Sequence, residues 1–463
     1  MGARTSPVET RISPVAKAER VGVLDVLRGF ALLGILMVNM ASFRGPVFGE
    51  AAVAAGGLDR AATFLVAFAF EQKFYVLFSF LFGYGLSVQM FRAAAKGTPF
   101  VPRYLRRLLG LFLIGVSHAV LLYTGDILVT YALLGVILLL LRNARDRTLI
   151  VVAAALVTLT ALMFVAGGIL LGAQEGAGFG AGSGIETERS VEAYRGTPAE
   201  VVAERVREYP GALGFALLGQ GPTALAMFLV GLWAGRRRLF ERVEENLSLF
   251  RRVLAVGLLV GVPGVLVWAV ERTNSGFAFD RGFFLASAVD FATAPFLTAV
   301  YVAALTLLYQ RSAWRVRLRV LAPVGRAALS NYPLQSLVAA MIFTAYGLAL
   351  YGRVGAAAGF VLGLAIFAAQ VPLSAFWMRR FDFGPAEWAL RSFTYAHLQP
   401  LRTRAGMRGQ GNSVGQEGDW GRATQGAGDG QDGRFPVVRR VPFAGERDGR
   451  SRGASSEGGD QKG

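Results

Sequence analysis

The chain has 463 residues, of which 54% are hydrophobic and 17% charged, and its mean hydropathy is +0.46. Soluble domains carry roughly 25% charged residues, so a water-soluble domain is excluded and repeated apolar runs of about 20 residues point to an all-α, polytopic integral membrane helical bundle. The net charge of +17 fits arginine-rich loops on one side of a membrane better than a nucleic-acid partner, the absence of cysteine excludes disulfides and thiolate chemistry, and two histidines make a metal centre unexpected.

Residues 1–22 are polar and basic and read as a cytoplasmic segment ahead of a retained first span, because Asn39 and Arg44 stand where a small-residue cleavage site would be needed. Ten transmembrane spans follow, within a helical domain of residues 23–400. They are predicted near Leu24–Phe43, Phe74–Phe91, Leu108–Tyr123, Ile127–Leu141, Leu149–Leu171, Leu213–Gly235, Val253–Val270, Phe283–Leu308, Leu329–Leu350 and Gly355–Trp377. Ala61–Phe70 is apolar but too short to cross, so an interfacial or re-entrant helix is expected there. Residues 172–212 read as an extracytoplasmic loop, with a glycine-rich opening (Gly176–Gly184) and a charged helical pattern at Ala199–Tyr209 that would cap the outer face. Residues 213–400 form the C-terminal half of the domain. The glycine-rich, charged residues 401–463 are expected to be a disordered cytoplasmic tail.

Loop charge sets the orientation. With the N-terminus inside, the inside loops hold Arg92, Lys96, Arg103, Arg106 and Arg107, then Arg142, Arg145 and Arg147, then Arg236 to Arg252, then Arg311 to Arg319. The short outside loop Thr124–Asp126 has no lysine or arginine. The bias predicts both termini in the cytoplasm.

Five groups of polar residues interrupt this apolar pattern. In the first span, Asp25 and Arg28 share a helix face with Asn39, read either as a locking ion pair or as a polar lining for a substrate. Glu71 and Lys73 open the second span, read as interfacial anchors that snorkel or as the rim of an outward pocket, and Gly83 and Gly85 permit close helix approach. Third, His118 lies about ten residues, or ~15 Å, into its span, eight residues before Asp126. An ionisable group in hydrocarbon is a functional candidate. A carboxylate beside it would fix its tautomer and make it a general base, whereas the blander reading is a helix–helix hydrogen bond and an N-cap. Fourth, Arg326, Asn331 and Gln335 enter the ninth span, either as bundle hydrogen bonds or as donor-binding groups. Fifth, Glu387, Trp388 and Arg391 follow the last span and suit a surface helix that seals the bundle. His397 reads as solvated.

The segments LDVLRGFALLGILMVN, EQKFYVLFSFLFGYG, GVSHAVLLYTGDIL, VGRAALSNYPLQS and FGPAEWALRSFTY resemble, in order, the signature blocks of the YeiB-like family of bacterial membrane proteins, also called the domain of unknown function 418 family. The resemblance covers roughly residues 20–400 and leaves out the tail and the loop at 172–212. More distantly, the chain is similar to the transmembrane acyltransferase superfamily, whose Asp-x-x-Arg-Gly-like start is matched by Asp25, Arg28 and Gly29. That resemblance implies acyl transfer in the bacterial inner membrane, from acetyl-CoA or another acyl donor in the cytoplasm to an envelope glycan or lipid. Arg28 and Arg106 would hold the anionic donor, and His118, oriented by Asp126, would deprotonate the acceptor. A transporter or transport-associated protein is the alternative, and a structural or assembly protein a third.

Overall fold

In the computed structural model the described residues are 22–46, 56–172, 183–275 and 280–402, with the side chains of 171–187 excepted. The expected N-terminal cytoplasmic segment, the disordered tail and most of the Gly176–Gly184 run lie outside them. The described residues fall within one unit, Met1–Gln410, and a second unit, Gly411–Gly463, lies outside them.

Among the described residues the chain is helical, with one isolated bridge, Phe381 to Arg402, and no strand. The helices run α1 (Gly22–Arg44), α2 (Gly57–Ala69), α3 (Lys73–Ala95), α4 (Val101–Leu121), α5 (Leu128–Leu140), α6 (Asp146–Gly172), α7 (Ser183–Arg195), α8 (Pro198–Phe215) and α9 (Gly221–Arg236). They continue with α10 (Leu247–Ser275), α11 (Arg281–Gln310), α12 (Ser312–Leu318), α13 (Ala322–Arg326), α14 (Ala328–Phe343), α15 (Ala356–Arg380) and α16 (Pro385–Tyr395). A π-helical turn, Ala216–Gln220, joins α8 to α9. Eight helical stretches are long and apolar enough to cross a membrane. The protein is a polytopic helical membrane protein.

All ten expected spans are helical, but α5 and α14 are short. At 13 and 16 residues they reach only ~20 and ~24 Å at 1.5 Å per residue, against a hydrocarbon core of ~30 Å. The ninth span was expected to run to Leu350, but the helix stops at Phe343 because Thr344 turns extended. The chain then folds back on its own helix end: the N–H groups of Leu348, Leu350 and Tyr351 bond to the carbonyls of Met341, Ile342 and Phe343. The returning loop thus satisfies α14's last carbonyls at a depth where water is scarce.

Burial orders the bundle. The apolar window of α1 is 61% buried, against 22% in α6 and α15, so α1 runs through the middle and the other two present Leu159, Leu162, Val361 and Phe376 outward. Such exposed apolar surface suits lipid rather than water. Helices α3 and α9 pack closely because both carry glycine at the crossing. A Cβ on Gly83 would strike the Phe228 carbonyl, and one on Gly231 would strike the Phe80 carbonyl. Gly85 meets nothing, so only the first of the two expected close-approach glycines in this segment has that role.

The break between α2 and α3 falls at Gln72, whose φ of 65° is left-handed. This turn drives the next charges inward. Lys73 is fully buried, and its ammonium donates to the Ala67 carbonyl at 2.9 Å and lies 3.5 Å from Asp290 on α11. The snorkelling expected of Lys73 is therefore wrong. The left-handed turn reverses its stem into the bundle, where a carbonyl and a carboxylate replace water. Glu71 is buried beside it, accepting from the indole N–H of Trp268 at 2.8 Å and facing Arg272 at 3.6 Å.

At the opposite end, α16 is fastened to α14. The Glu387 carboxylate accepts from the backbone N–H of Leu329 and from the Ser330 hydroxyl, at 2.6 and 2.5 Å, satisfying donors in the first turn of α14. Gly110 on α4 makes room for Leu390 and Phe393 of α16. The surface helix seals the bundle as its sequence suggests.

Two consequences are measurable. Removing one member of a buried ion pair strands the other, so Lys73→Met or Asp290→Leu alone should each cost about 3–5 kcal/mol, and the double substitution should recover most of that loss. Thermal unfolding in a single detergent measures all three, and losses that simply add would contradict the pairing. Burial also raises the Glu387 carboxyl above its ordinary value of 4.5. A carboxyl raised in the folded state binds its proton more readily there than in the unfolded chain. Stability from this group is therefore greatest at acid pH and declines as pH rises through the raised value. Glu387→Gln should flatten that slope in unfolding measured between about pH 4 and pH 8.

Candidate functional site

The turn joining α4 to α5 brings an imidazole and a carboxylate together. Helix α4 ends by returning the N–H groups of Leu122 and Tyr123 to the His118 carbonyl, at 2.8 and 2.9 Å. Six residues later α5 begins alongside, and Asp126 uses both its oxygens. Oδ1 accepts from the Val129 N–H at 2.9 Å, in the first turn of α5, and Oδ2 faces His118 Nδ1 at 2.8 Å. The N-cap of α5 is Ile127 rather than Asp126, but the Asp126 carboxylate serves a first-turn N–H and the histidine at once. Gly115 makes this fit possible, since a Cβ there would lie 2.8 Å from Asp126 Oδ1 and from the Val129 nitrogen.

The other ring nitrogen meets a third residue. His118 Nε2 lies 2.9 Å from Ser336 Oγ on α14, 218 residues away in sequence. A carboxylate can only accept, so the ring proton belongs on Nδ1 and Nε2 accepts from the serine hydroxyl. The result is a continuous hydrogen-bonded chain, Ser336 to His118 to Asp126, whose members are 1%, 3% and 3% exposed. The Tyr332 ring covers it, with its centroid 4.7 Å from that of the imidazole.

Asp126, at one end of this chain, borders a cavity of about 800 Å³, within the size range of small-molecule sites, while His118 and Ser336 lie behind its wall. Asp126 and Tyr332 form part of its wall, with Tyr123, Thr130, Ala339 and Ala340. The cavity lies at the end of the bundle away from the arginine-rich loops. Helices α7 and α8 close over it as the expected cap, contributing Tyr194, Arg205 and Glu208. Arg205 ties this lobe down, donating to the Leu121 carbonyl at 2.5 Å and to the Tyr346 hydroxyl at 3.1 Å. Arg195 donates to the Tyr351 carbonyl at 2.6 Å. Inside the lobe, Glu208 accepts from Tyr194 at 2.6 Å and from Ser190 at 3.0 Å.

The remaining candidates divide by position. Asn39 lines the cavity and accepts from the Tyr123 hydroxyl at 3.3 Å, and Glu71 lines it too. Lys73 does not rim the cavity, because its ammonium is spent on Ala67 and Asp290 behind the wall. Asn331 and Gln335 are bundle hydrogen bonds: Asn331 donates to the Val324 carbonyl and Ser374, and Gln335 to Gln370, at 2.7–3.0 Å. Asp25 and Arg28 pair at 2.8 Å near the other end of α1, Arg106 is exposed on α4, and Arg326 ends α13. None of these four reaches the cavity wall. Among the described residues no group of three or more His, Cys, Asp or Glu is placed to hold a metal ion.

Sequence reading did not single out Ser336, Asp290, Arg272 or Trp268. Asp290 and Arg272 carried a signal, as charges within or at the end of apolar spans. Ser336 carried none beyond its place at the end of the VGRAALSNYPLQS segment, because a helical serine is commonplace.

The family model described as Protein of unknown function (DUF418) matches residues 234–397, which hold Ser336 and Glu387. Uncharacterized protein YxaH of Bacillus subtilis (strain 168) is 35% identical over 410 residues, covering 84% of this chain and 98% of its own. An uncharacterized 39.9 kDa protein in the amylase 3' region of Bacillus acidopullulyticus is 28% identical, with 84% and 98% covered. Uncharacterized protein YeiB of Escherichia coli (strain K12) is 28% identical, with 82% and 98% covered. With 35% identity to YxaH over 84% of the chain, the chain belongs to the DUF418, or YeiB-like, family of proteins.

Proposed function

We propose that the protein is an acyltransferase of the bacterial inner membrane, with both termini in the cytoplasm. It moves an acyl group from acetyl-CoA or another cytoplasmic donor to a hydroxyl of an envelope glycan or lipid held in the cavity. The observation that carries this reading is the hydrogen-bonded chain from Asp126 through His118 to Ser336 beside that cavity. A histidine held in one tautomer by a carboxylate, its other nitrogen accepting from a hydroxyl, is the arrangement a general base requires. Burial keeps competing water away from it. The arginines at the far end, Arg28, Arg106 and Arg326 among them, suit the phosphates of a coenzyme donor.

A transport reading draws on different features. The break at Gln72, the π-turn at Ala216–Gln220 and the two short helices interrupt the bundle near the cavity, as broken helices do in transporters. Carboxylate–histidine chains serve proton relays in transporters as well as acid–base chemistry, and the serine hydroxyl bonded to Nε2 is the feature that favours chemistry over passage.

Reconstituted protein given labelled acetyl-CoA and envelope extract should produce a labelled glycan or lipid, and vesicles of the same protein should show no solute uptake. His118→Ala should reduce transfer by about 10² to 10⁴, while the protein still inserts and elutes as a single species. Asp126→Asn, which frees the imidazole to take the wrong tautomer, should reduce it by a comparable factor. Undiminished transfer by the His118 variant would sink the reading.

A further inference from the structure

Serines and threonines inside helices commonly return their hydroxyl to the carbonyl four residues back. In this bundle Ser117, Thr160, Thr273, Thr293, Thr298 and Thr344 do so at 2.6 to 3.0 Å. Ser336 is different. Its distance to the Tyr332 carbonyl is 3.4 Å, and the shorter contact, 2.9 Å, is to His118 Nε2. The hydroxyl has been turned away from its own helix toward a base.

The position of Ser336 on α14 adds a second observation. Tyr332, Ala339, Ala340 and Phe343 all line the cavity, and residues spaced by three and four share a helix face. Ser336 shares that face by spacing but is itself buried behind the lining, as His118 is, with Tyr332 and Asp126 forming the wall beside them. The two alanines beside it leave space that a larger side chain would fill. Across the cavity wall, the buried Thr130 hydroxyl has no hydrogen-bond partner and can donate to a bound carbonyl oxygen. A nucleophile bonded to a base, and that base bonded to an orienting acid, is the pattern of covalent acyl transfer.

We infer that Ser336 is the nucleophile and carries the acyl group as a seryl ester between donor and acceptor. The inference rests on the acyl-transfer reading above and adds a covalent intermediate to it. In the first step the Ser336 proton passes to His118 Nε2, Oγ bonds to the donor's carbonyl carbon, and the bond from that carbon to the donor's thiol sulfur or alcohol oxygen breaks. The leaving group takes the proton from Nε2. In the second step the acceptor hydroxyl gives its proton to Nε2 and attacks the ester, and Ser336 leaves with the proton restored. Asp126 holds the imidazolium throughout. Ser336 thus meets donor and acceptor in turn.

The test uses the full-length protein in lipid nanodiscs with two acyl probes, acetyl-CoA and p-nitrophenyl acetate, which separate a thioester donor from an oxygen-ester donor. After an acid quench, peptide mass spectrometry should find an acetyl group on Ser336 with at least one probe. His118→Ala should lower the labelling rate by roughly 10² or more. Ser336→Ala should lose both label and transfer, and Ser336→Cys, nearly the same in shape, should be labelled as a thioester. Absence of acyl-Ser336 with both probes overturns the inference, as does full transfer by Ser336→Ala. If transfer survives in Ser336→Ala but not in His118→Ala, the histidine acts directly on the acceptor and only the covalent step falls. Transfer intact in both variants removes the acyl-transfer reading as well.

Discussion

Polar groups inside a membrane bundle have little water to turn to, and this structure is organised by contacts that satisfy most of them from within. The hydrogen-bonded chain of Asp126, His118 and Ser336 is the clearest case. Moving any one of the three leaves a buried polar group without its partner. Gly115, the short α5 and the interrupted α14 all serve to keep those atoms within 2.9 Å of one another. The same demand explains the Lys73–Asp290 pair, the Glu71 contacts with Trp268 and Arg272, and the amide network of Asn331, Gln335 and Gln370. These contacts also tie together helices far apart in the chain, which apolar packing alone does less selectively.

Legibility from sequence followed the range of the interaction. Apolar runs report burial in lipid residue by residue, so all ten helical segments could be read from composition. The break at Gln72 could not, because a left-handed residue is set by its surroundings, and the inward turn of Lys73 was lost with it. His118 and Asp126 were legible together because eight residues and one turn separate them. Ser336 was hidden, since its partner lies 218 positions away and serine is a common helical residue. Asp290 stood out as a charge in an apolar span, but its partner on α3 depended on packing between distant segments.

Asn331 and Gln335 show the opposite case. Their polarity within a span invited a binding role, and the fold spends them on neighbouring helices. The residues that do face the cavity are mostly aromatic or small, but many polar groups stand among them, including Asn39, Glu71, Gln72, Asp126, Arg205 and Glu208. Polar character alone therefore did not identify the site. Contact with the His118 ring did.

The arginine of the outer lobe has a mechanical consequence. Arg205 grips the carbonyl of Leu121, three residues beyond His118 and in the last turn of the same helix. The lobe and the imidazole are therefore anchored to the same helix end, so the cap over the cavity and the ring that faces Asp126 are held in register by one carbonyl.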